Sequence, residues 1–257
     1  MARGLFFEVI FASQRLVRRS FAGRETMEAD RWRAANPGKT YGELYALTMG
    51  EQLDDSSMHR TVGPNVSDRS VRAGKRIFDE FRGFGIEPQH VLVDYGCGSL
   101  RIGHHFVHYL DAGNFIGLEL SAPALAAGKA VLGAAYEAKL PTLALIDDEM
   151  LARVAARRPR WIICNAVVNH MAPEDHVIFL GNVVRLMTDP ACTLLIRTRY
   201  APKGRRAGPL NWRVGVSDLA AAAARHGLDI RMAYGMPVKE GWNIGIFTRA
   251  ATTSRLD

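Results

Sequence analysis

Long apolar runs and paired cysteines are both missing from this sequence of 257 residues. No run of about 18 uncharged apolar residues occurs, which excludes a membrane-spanning helix. The three cysteines, Cys97, Cys164 and Cys192, show no CxxC spacing and do not indicate the disulfide framework of a secreted protein. The apolar start LFFEVIFA is interrupted by Glu8 and followed at once by arginines, which argues against a signal peptide. We therefore expect a cytoplasmic protein.

The basic charge is confined to two stretches of the chain. Lys and Arg number 33 against 26 Asp and Glu, for a net charge of +7. Residues 1–24 carry +4 and residues 197–213 carry +6, so the rest of the chain is slightly acidic. No separate RNA-binding module is visible, and nucleic acid is not predicted as a partner. Charged residues at 23% and aromatic residues at 9% exclude a wholly disordered chain.

Short apolar runs alternate with helical patterns along most of the chain. Such alternation is typical of βαβ units and a mainly parallel sheet. Only eight residues, 235–242, join the last two runs, so we expect the last strand to be antiparallel. The seven predicted strands are Val91–Asp94, Phe115–Glu119, Thr142–Ile146, Trp161–Asn165, Cys192–Arg197, Asp229–Tyr234 and Asn243–Thr248.

Helical patterns precede and separate these strands. The predicted helices are 5–21, Tyr41–Met49, Asp68–Phe84, Ile102–Leu110, Ala122–Lys139, Glu149–Ala156, Pro173–Met187 and Asp218–His226, the last capped by Ser217. The sequence thus predicts an α/β fold: a seven-stranded, mostly parallel sheet flanked by helices. We divide the chain into a helical N-terminal extension, residues 1–70, and a domain of residues 71–257.

The most informative segment runs from a buried strand through Asp94-Tyr95-Gly96-Cys97-Gly98 into a helix. Gly96 and Gly98 permit a tight turn and leave no Cβ in the way of a ligand. In an open parallel sheet, ligands bind beyond the carboxyl ends of the strands, near amide donors at a helix N-terminus. A dinucleotide-binding fingerprint would place a third glycine where this chain has Arg101, which disfavours the alternative of an NAD(P)-binding oxidoreductase.

This D-x-G-x-G arrangement resembles the first motif of the class I S-adenosylmethionine (SAM)-dependent methyltransferases. The strand pattern between residues 71 and 250 is also similar to theirs. The resemblance implies a Rossmann-like fold, SAM as cofactor, and methyl transfer to oxygen or nitrogen of a small-molecule or glycan-like acceptor. It implies cofactor contacts from Asp94, Gly96, Cys97, Gly98, Arg101, Glu119, Leu120, Asp147, Asp148, Asn165 and Ala166.

The resemblance also assigns roles to the acids at the strand ends. Asp94 would lie near the amino end of the cofactor. Glu119 would hold the ribose, since its two adjacent acceptor oxygens match a cis-diol. Asp147 would accept from the adenine amino group. The alternative for Asp147 and Asp148 is that they only cap the next helix.

Residues after the fourth predicted strand belong to the acceptor side. The resemblance places Asn165 and Ala166 beside the methionine moiety, with His170 facing the acceptor. His170 is the candidate catalytic residue, as a general base, and packing is the alternative. No metal site is predicted, because His104 and His108 lie one helical turn apart without a matching third ligand.

Two further segments are expected near the acceptor. Residues 197–213 would form a wall of the pocket, where their arginines would bind an anionic group of the acceptor. Tyr200 and Trp212 would stack on a planar group. The alternative is that this stretch is a solvated loop. The region Tyr41–Pro64, which includes Tyr45, would cover the acceptor.

The basic amphipathic pattern of residues 5–21 leaves three roles open. It can lie on an anionic membrane surface, cover the acceptor pocket, or pack against a second subunit of a homo-oligomer. A non-catalytic subunit that binds the cofactor for a partner is a further alternative function. The presence of both glycines and both strand-end acids favours an active enzyme.

Overall fold

Nine strands form one sheet in the computed structural model, which describes residues 23–52 and 68–251. The strands are β1 Leu92–Tyr95, β2 Phe115–Glu119, β3 Thr142–Leu145, β4 Trp161–Asn165, β5 Thr193–Ala201, β6 Arg205–Gly208, β7 Asn211–Gly215, β8 Leu228–Met232 and β9 Gly241–Arg249. The predicted helix 5–21 lies outside the described residues, as do residues 53–64 of the predicted cover.

Helices precede the sheet and connect its strands. They are α1 (23–35), α2 Tyr41–Gln52, α3 Asp68–Arg82, α4 Gly103–Tyr109, α5 Ala122–Leu132, α6 Ala134–Lys139, α7 Asp148–Ala156, α8 His176–Leu186 and α9 Val216–Ala224, with 3-10 turns at Val168–His170 and Pro173–Asp175. None of these helices combines the length and apolar character needed to cross a membrane.

Strands β1 to β5 are parallel and lie in the order β3-β2-β1-β4-β5. β9 runs antiparallel between β5 and β8. All seven predicted strands are therefore present, and the predicted antiparallel final strand is confirmed. The strand order reverses between β1 and β4, and the crevice at such a switch point is where this architecture binds ligands.

The two additional strands lie in the basic stretch after β5, where a loop was the alternative expectation. β6 and β7 form an antiparallel hairpin, and β7 also pairs in parallel with Tyr200 and Ala201 of β5. Trp212 and Val214 are buried on β7. The alternative of a solvated loop is therefore wrong, because these alternating apolar side chains give the hairpin a buried face.

The helices also differ from those predicted: α1 was not expected, and several boundaries are shifted, two of them at identifiable residues. The single helix Ala122–Lys139 is divided into α5 and α6 at Gly133, whose φ of 52° ends the first helix. α9 begins at Val216, with Gly215 rather than Ser217 at its N-cap. Val216 is buried in the core, so the chain enters this helix before the predicted cap.

Apolar side chains form a core layer on each face of the sheet. Val93 and Tyr95 of β1 pack with residues of α7, α8 and α9, whereas Leu92 packs with residues of α3 and α4. Successive strand residues point to opposite faces, so a continuously apolar strand needs helices on both sides. Full burial of one such side chain contributes about 1.5–3 kcal/mol. These layers fix the positions of the strand ends.

The first two helices dock against the turn at Pro173–Asp175 and the β6–β7 hairpin. A small apolar cluster joins them, formed by Ala29, Tyr41, Leu44, Ala172 and Trp212. The buried carboxylate of Asp175 accepts hydrogen bonds from Arg33 Nη2 at 2.8 Å and from the Tyr41 amide N–H at 3.1 Å. This docking places α2 against the switch-point crevice.

Candidate functional site

One cavity of about 520 Å³ opens at the carboxyl ends of β1 to β4. Its size is typical of a small-molecule or cofactor site. α2 contributes Gly42, Glu43, Tyr45 and Ala46 to its wall. The structure brings together all twelve residues that the sequence assigned to cofactor or acceptor, namely Asp94, Gly96, Cys97, Gly98, Arg101, Glu119, Leu120, Asp147, Asp148, Asn165, Ala166 and His170.

The glycine loop is held in a conformation that side chains rarely adopt. Gly96 and Gly98 have φ angles of 80° and 55°. The amide N–H groups of Gly96 and Cys97 both donate to the Leu118 carbonyl, at 2.7 and 3.1 Å. A Cβ on Gly96 would also overlap the Val167 side chain. The loop is therefore fastened to β2 on one side and packed against the segment after β4 on the other.

Glu119 organises this loop with its carboxylate. Oε2 accepts from the Gly98 amide N–H at 2.8 Å, and Oε1 accepts from the amides of Leu120 and Ser121 at 2.8 and 3.2 Å. Burial raises the pKa of Glu119, an effect that the three amides oppose. Each carboxylate oxygen can accept two hydrogen bonds, so Oε2 retains acceptor capacity toward the cavity.

Asp94 and Arg101 bring opposite charges into the same cavity. Burial, together with the charge of Glu119, raises the pKa of Asp94 to about 7, which Arg101 opposes. Burial and the nearby Arg197 guanidinium lower the pKa of Arg101. Within the described residues, neither Asp94 nor Arg101 forms an ion pair within 4.0 Å. A ligand with both an ammonium and a carboxylate group can therefore bind between them, with its ammonium at Asp94 and its carboxylate at Arg101.

The two acids after β3 have different surroundings. Asp147 is the N-cap of α7, and its Oδ1 accepts from the Met150 amide at 2.7 Å. Asp148 forms an exposed ion pair with Arg185 at 2.6 Å. Asp147 thus caps α7, as the alternative expects, but it also lines the cavity with its second oxygen available.

The segment after β4 starts with a strained residue. Ala166 has a φ of 57°, and its amide donates to the Arg197 carbonyl at 2.8 Å. Asn165 Oδ1 accepts from Arg197 Nη1 at 3.3 Å, and Arg197 also pairs with Glu80 at 2.7 Å. Positive φ at a non-glycine residue costs roughly 1–2 kcal/mol, so the surrounding contacts must hold Ala166 in place.

Both ring nitrogens of His170 are already engaged. Nδ1 lies 2.8 Å from the Leu210 carbonyl, which can only accept, so this nitrogen carries the proton. Nε2 then accepts from Asn169 Nδ2 at 3.0 Å, and Asn169 Oδ1 accepts from the Thr198 hydroxyl at 3.3 Å. Burial lowers the pKa of His170 to about 4. This arrangement favours a positioning role over that of a general base.

The sequence did not anticipate the partner of His170. The ring of Tyr45, on α2, stacks on the His170 ring with centroids 3.6 Å apart and an interplanar angle of 15°. Asn169 and the buried Asp175 were also missed as supporting residues. No local signal marks such residues, because their importance arises from contacts between segments far apart in sequence.

The basic stretch is mostly used within the fold. Arg206 pairs with Asp30 at 2.7 Å and lies over the rings of Tyr41 and Trp212. Tyr200 is fully buried, with its hydroxyl donating to the Ile196 carbonyl, and Trp212 is buried in the hairpin. The predicted stacking of Tyr200 and Trp212 on an acceptor was therefore wrong, because both rings are buried within the protein and cannot reach a ligand.

Comparison with known proteins identifies the fold. No protein-family model matches the chain, and no curated protein is significantly similar. The magnesium protoporphyrin IX methyltransferase ChlM of Synechocystis PCC 6803, solved with bound SAM, matches with a TM-score of 0.51 and 15% identity over 86% of this chain and 90% of its own. A SAM-dependent methyltransferase of Leishmania major matches with a TM-score of 0.56 and 12% identity over 85% and 89%.

The glycopeptide N-methyltransferase MtfA is a third match, with a TM-score of 0.53 and 15% identity over 68% of this chain and 90% of its own. The chain therefore has the Rossmann-like fold of the class I methyltransferases, as the sequence predicted.

Proposed function

We propose that this chain is a SAM-dependent methyltransferase that transfers a methyl group to oxygen or nitrogen of a small-molecule or glycan-like acceptor. The main support is the placement of Asp94, the Gly96–Gly98 loop, Glu119 and Asp147 at the ends of three adjacent strands around one cavity. Proteins of similar fold, ChlM and MtfA, have been solved with SAM bound.

The cavity residues fit the chemical parts of this cofactor. Asp94 would bind the ammonium group and Arg101 the carboxylate of the methionyl end, which would neutralise two charges that lack ion-pair partners among the described residues. Glu119 Oε2 would accept from a ribose hydroxyl. Asp147 would accept from the adenine amino group with the oxygen that does not cap α7.

The acceptor would lie on the side formed by α2 and the turn after β4. When bound, SAM supplies a methyl group already activated by a sulfonium charge. The protein must therefore mainly align the acceptor and exclude water. Tyr45 and His170 form a rigid part of this wall, and at neutral pH the buried His170 ring is uncharged. We assign His170 to positioning, with residues 1–70 as cover and residues 71–257 as the catalytic domain of a cytoplasmic enzyme.

Calorimetric titration of the full chain with SAM, S-adenosylhomocysteine, NAD⁺ and NADH tests the cofactor assignment. We expect saturable binding of the first two and none of the others. Tight NAD(H) binding without SAM binding would overturn the proposal in favour of an oxidoreductase.

An acceptor screen with SAM labelled on its methyl group tests the activity. We expect label transfer to a member of a panel of amines, hydroxyl compounds and glycans. Cofactor binding without transfer to the panel or to a small-molecule extract would instead favour a non-catalytic subunit.

A further inference from the structure

Four large side chains are exposed around the loop between β8 and β9. Val238 is 92% and Met236 is 69% exposed, and the rings of Tyr234 and Trp242 flank them. The aliphatic pair stands at the loop tip, on either side of Pro237. Exposed apolar side chains are common singly, whereas four within nine residues are a concentration typical of an interaction site.

Cations border these apolar side chains. Glu240, in the same loop, pairs with Arg205 of β6 and Arg213 of β7, so the β6–β7 hairpin lies beside the loop. Lys203 and Lys239 are exposed, and neither forms an ion pair in the described part of the chain. We call the apolar residues 234, 236, 238 and 242, together with Lys203, Arg205 and Lys239, the β8–β9 surface. Two acids beside it, Glu240 and Glu80, are each already paired with arginines.

The β8–β9 surface adjoins the cavity. The Arg197 guanidinium lies 4.6 Å from the centroid of the Trp242 ring and donates to Asn165, which lines the cavity. The Tyr234 hydroxyl donates to Glu80, the ion-pair partner of Arg197. One partly buried network of charged and polar groups thus connects the two aromatic residues to the cavity wall.

We infer that the β8–β9 surface docks the protein on an anionic membrane surface. A loop tip with two projecting aliphatic side chains can enter the headgroup region, where tyrosine and tryptophan rings are favoured. Lysine and arginine around the tip would contact lipid phosphates. The projecting shape and the unpaired lysines favour a lipid surface over the flat, charge-depleted core of a protein interface. Docking would turn the cavity side of the molecule toward the membrane.

Vesicle co-sedimentation of the full chain tests this inference. We expect binding to vesicles of phosphatidylcholine with 30% phosphatidylglycerol in preference to pure phosphatidylcholine, weakening as salt is raised. The double variant Met236→Asp/Val238→Asp should lose at least about tenfold in its affinity for the anionic vesicles. Lys203→Glu/Lys239→Glu should lose binding through charge alone.

Leu140→Asp is the control, because Leu140 is 63% exposed, close to the 69% of Met236, but lies at the end of α6, outside the β8–β9 surface. It should bind vesicles as the unmodified chain does. Thermal melting and SAM titration of every variant separate lost docking from lost folding. Because SAM affinity is read independently, failure of the docking inference and failure of the proposed function give different results.

A direct measurement does not depend on the variants. Brominated anionic lipids should quench the fluorescence of Trp242, and Trp242→Phe should remove the quenching. Absence of a preference for anionic vesicles would overturn the inference. Vesicle binding that persists unchanged in Met236→Asp/Val238→Asp would also overturn it and assign membrane contact to another segment, such as residues 5–21.

Discussion

The Tyr45 ring lies flat on the His170 ring, with centroids 3.6 Å apart, and so joins the N-terminal helices to the turn after β4. His170 is in turn fixed by the Leu210 carbonyl at the tip of the β6–β7 hairpin. One imidazole therefore links three segments that are distant in sequence. Its two hydrogen bonds and its stacking partner explain why the ring is buried at the wall of the cavity.

Tyr45→Ala should weaken this junction. Removal of a stacked aromatic side chain loses its burial and about 0.5–1.5 kcal/mol of ring interaction. We expect faster hydrogen exchange across α2 and lower methyl transfer, with more activity retained by Tyr45→Phe because a phenyl ring still stacks. Leu47→Ala, an exposed position on the same helix, is the control. Equal exchange in Tyr45→Ala and Leu47→Ala would contradict this role.

Asp94→Asn should stabilise the cofactor-free chain at alkaline pH. The pKa of Asp94 is about 7 in the folded chain, against 3.8 for an ordinary aspartate. Between these values the folded state holds a proton that the unfolded state has lost, so this carboxyl lowers stability as pH rises. Asparagine does not ionise.

We therefore compare the melting temperatures of Asp94→Asn and the unmodified chain. The variant's advantage should be smallest near pH 4.5 and largest at pH 8, with about 2–4 °C for each kcal/mol of unfolding free energy. SAM affinity should fall, because the amide cannot neutralise an ammonium group. A constant difference in Asp94→Asn would refute the elevated pKa.

Glu119→Gln should loosen the glycine loop and weaken SAM binding. An NH₂ group would replace one carboxylate oxygen and face a backbone amide of Gly98 or Leu120, which are also donors. A buried donor left without an acceptor costs about 1–3 kcal/mol. Calorimetry should show at least about a tenfold loss of SAM affinity, equivalent to 1.4 kcal/mol. Glu137→Gln on α6 is the control, and unchanged affinity in Glu119→Gln would remove the ribose assignment.

Gly96→Ala should reduce stability by more than the positive φ of this residue alone would cause. Gly113 has nearly the same φ, 81° against 80°, but its added Cβ would have nothing within 4 Å. Gly113→Ala should therefore cost only about 1–2 kcal/mol of stability. Gly96→Ala adds overlap with Val167, so chemical denaturation should show a larger loss, accompanied by loss of SAM binding.

The double variant Gly96→Ala/Val167→Ala separates the two causes. Truncation of Val167 removes the overlap but leaves the positive φ, so it should recover the part of the loss that exceeds that of Gly113→Ala. No recovery would show that the loop fails for a reason other than this contact.

The seven main strands, the antiparallel end of the sheet and the acids that follow β1, β2 and β3 could be predicted from the sequence. Alternating apolar runs and glycine positions are local signals, and the carboxyl ends of parallel strands must meet at one edge. The β6–β7 hairpin was missed because six basic residues obscured the alternation of Trp212 and Val214. The expectation that Tyr200 and Trp212 stack on an acceptor was wrong because the basic residues around them suggested an exposed segment, whereas both rings are buried.

The sequence by itself thus determined the order of the seven main strands and of the helices between them, and which chemical groups stand at the strand ends, because these follow from periodicity and spacing along the chain. Only the tertiary structure decided how those groups are engaged. The amides bound by Glu119, the raised pKa of Asp94 and the stacking of Tyr45 on His170 depend on burial and on contacts between distant segments. Such contacts arise only when the whole chain packs.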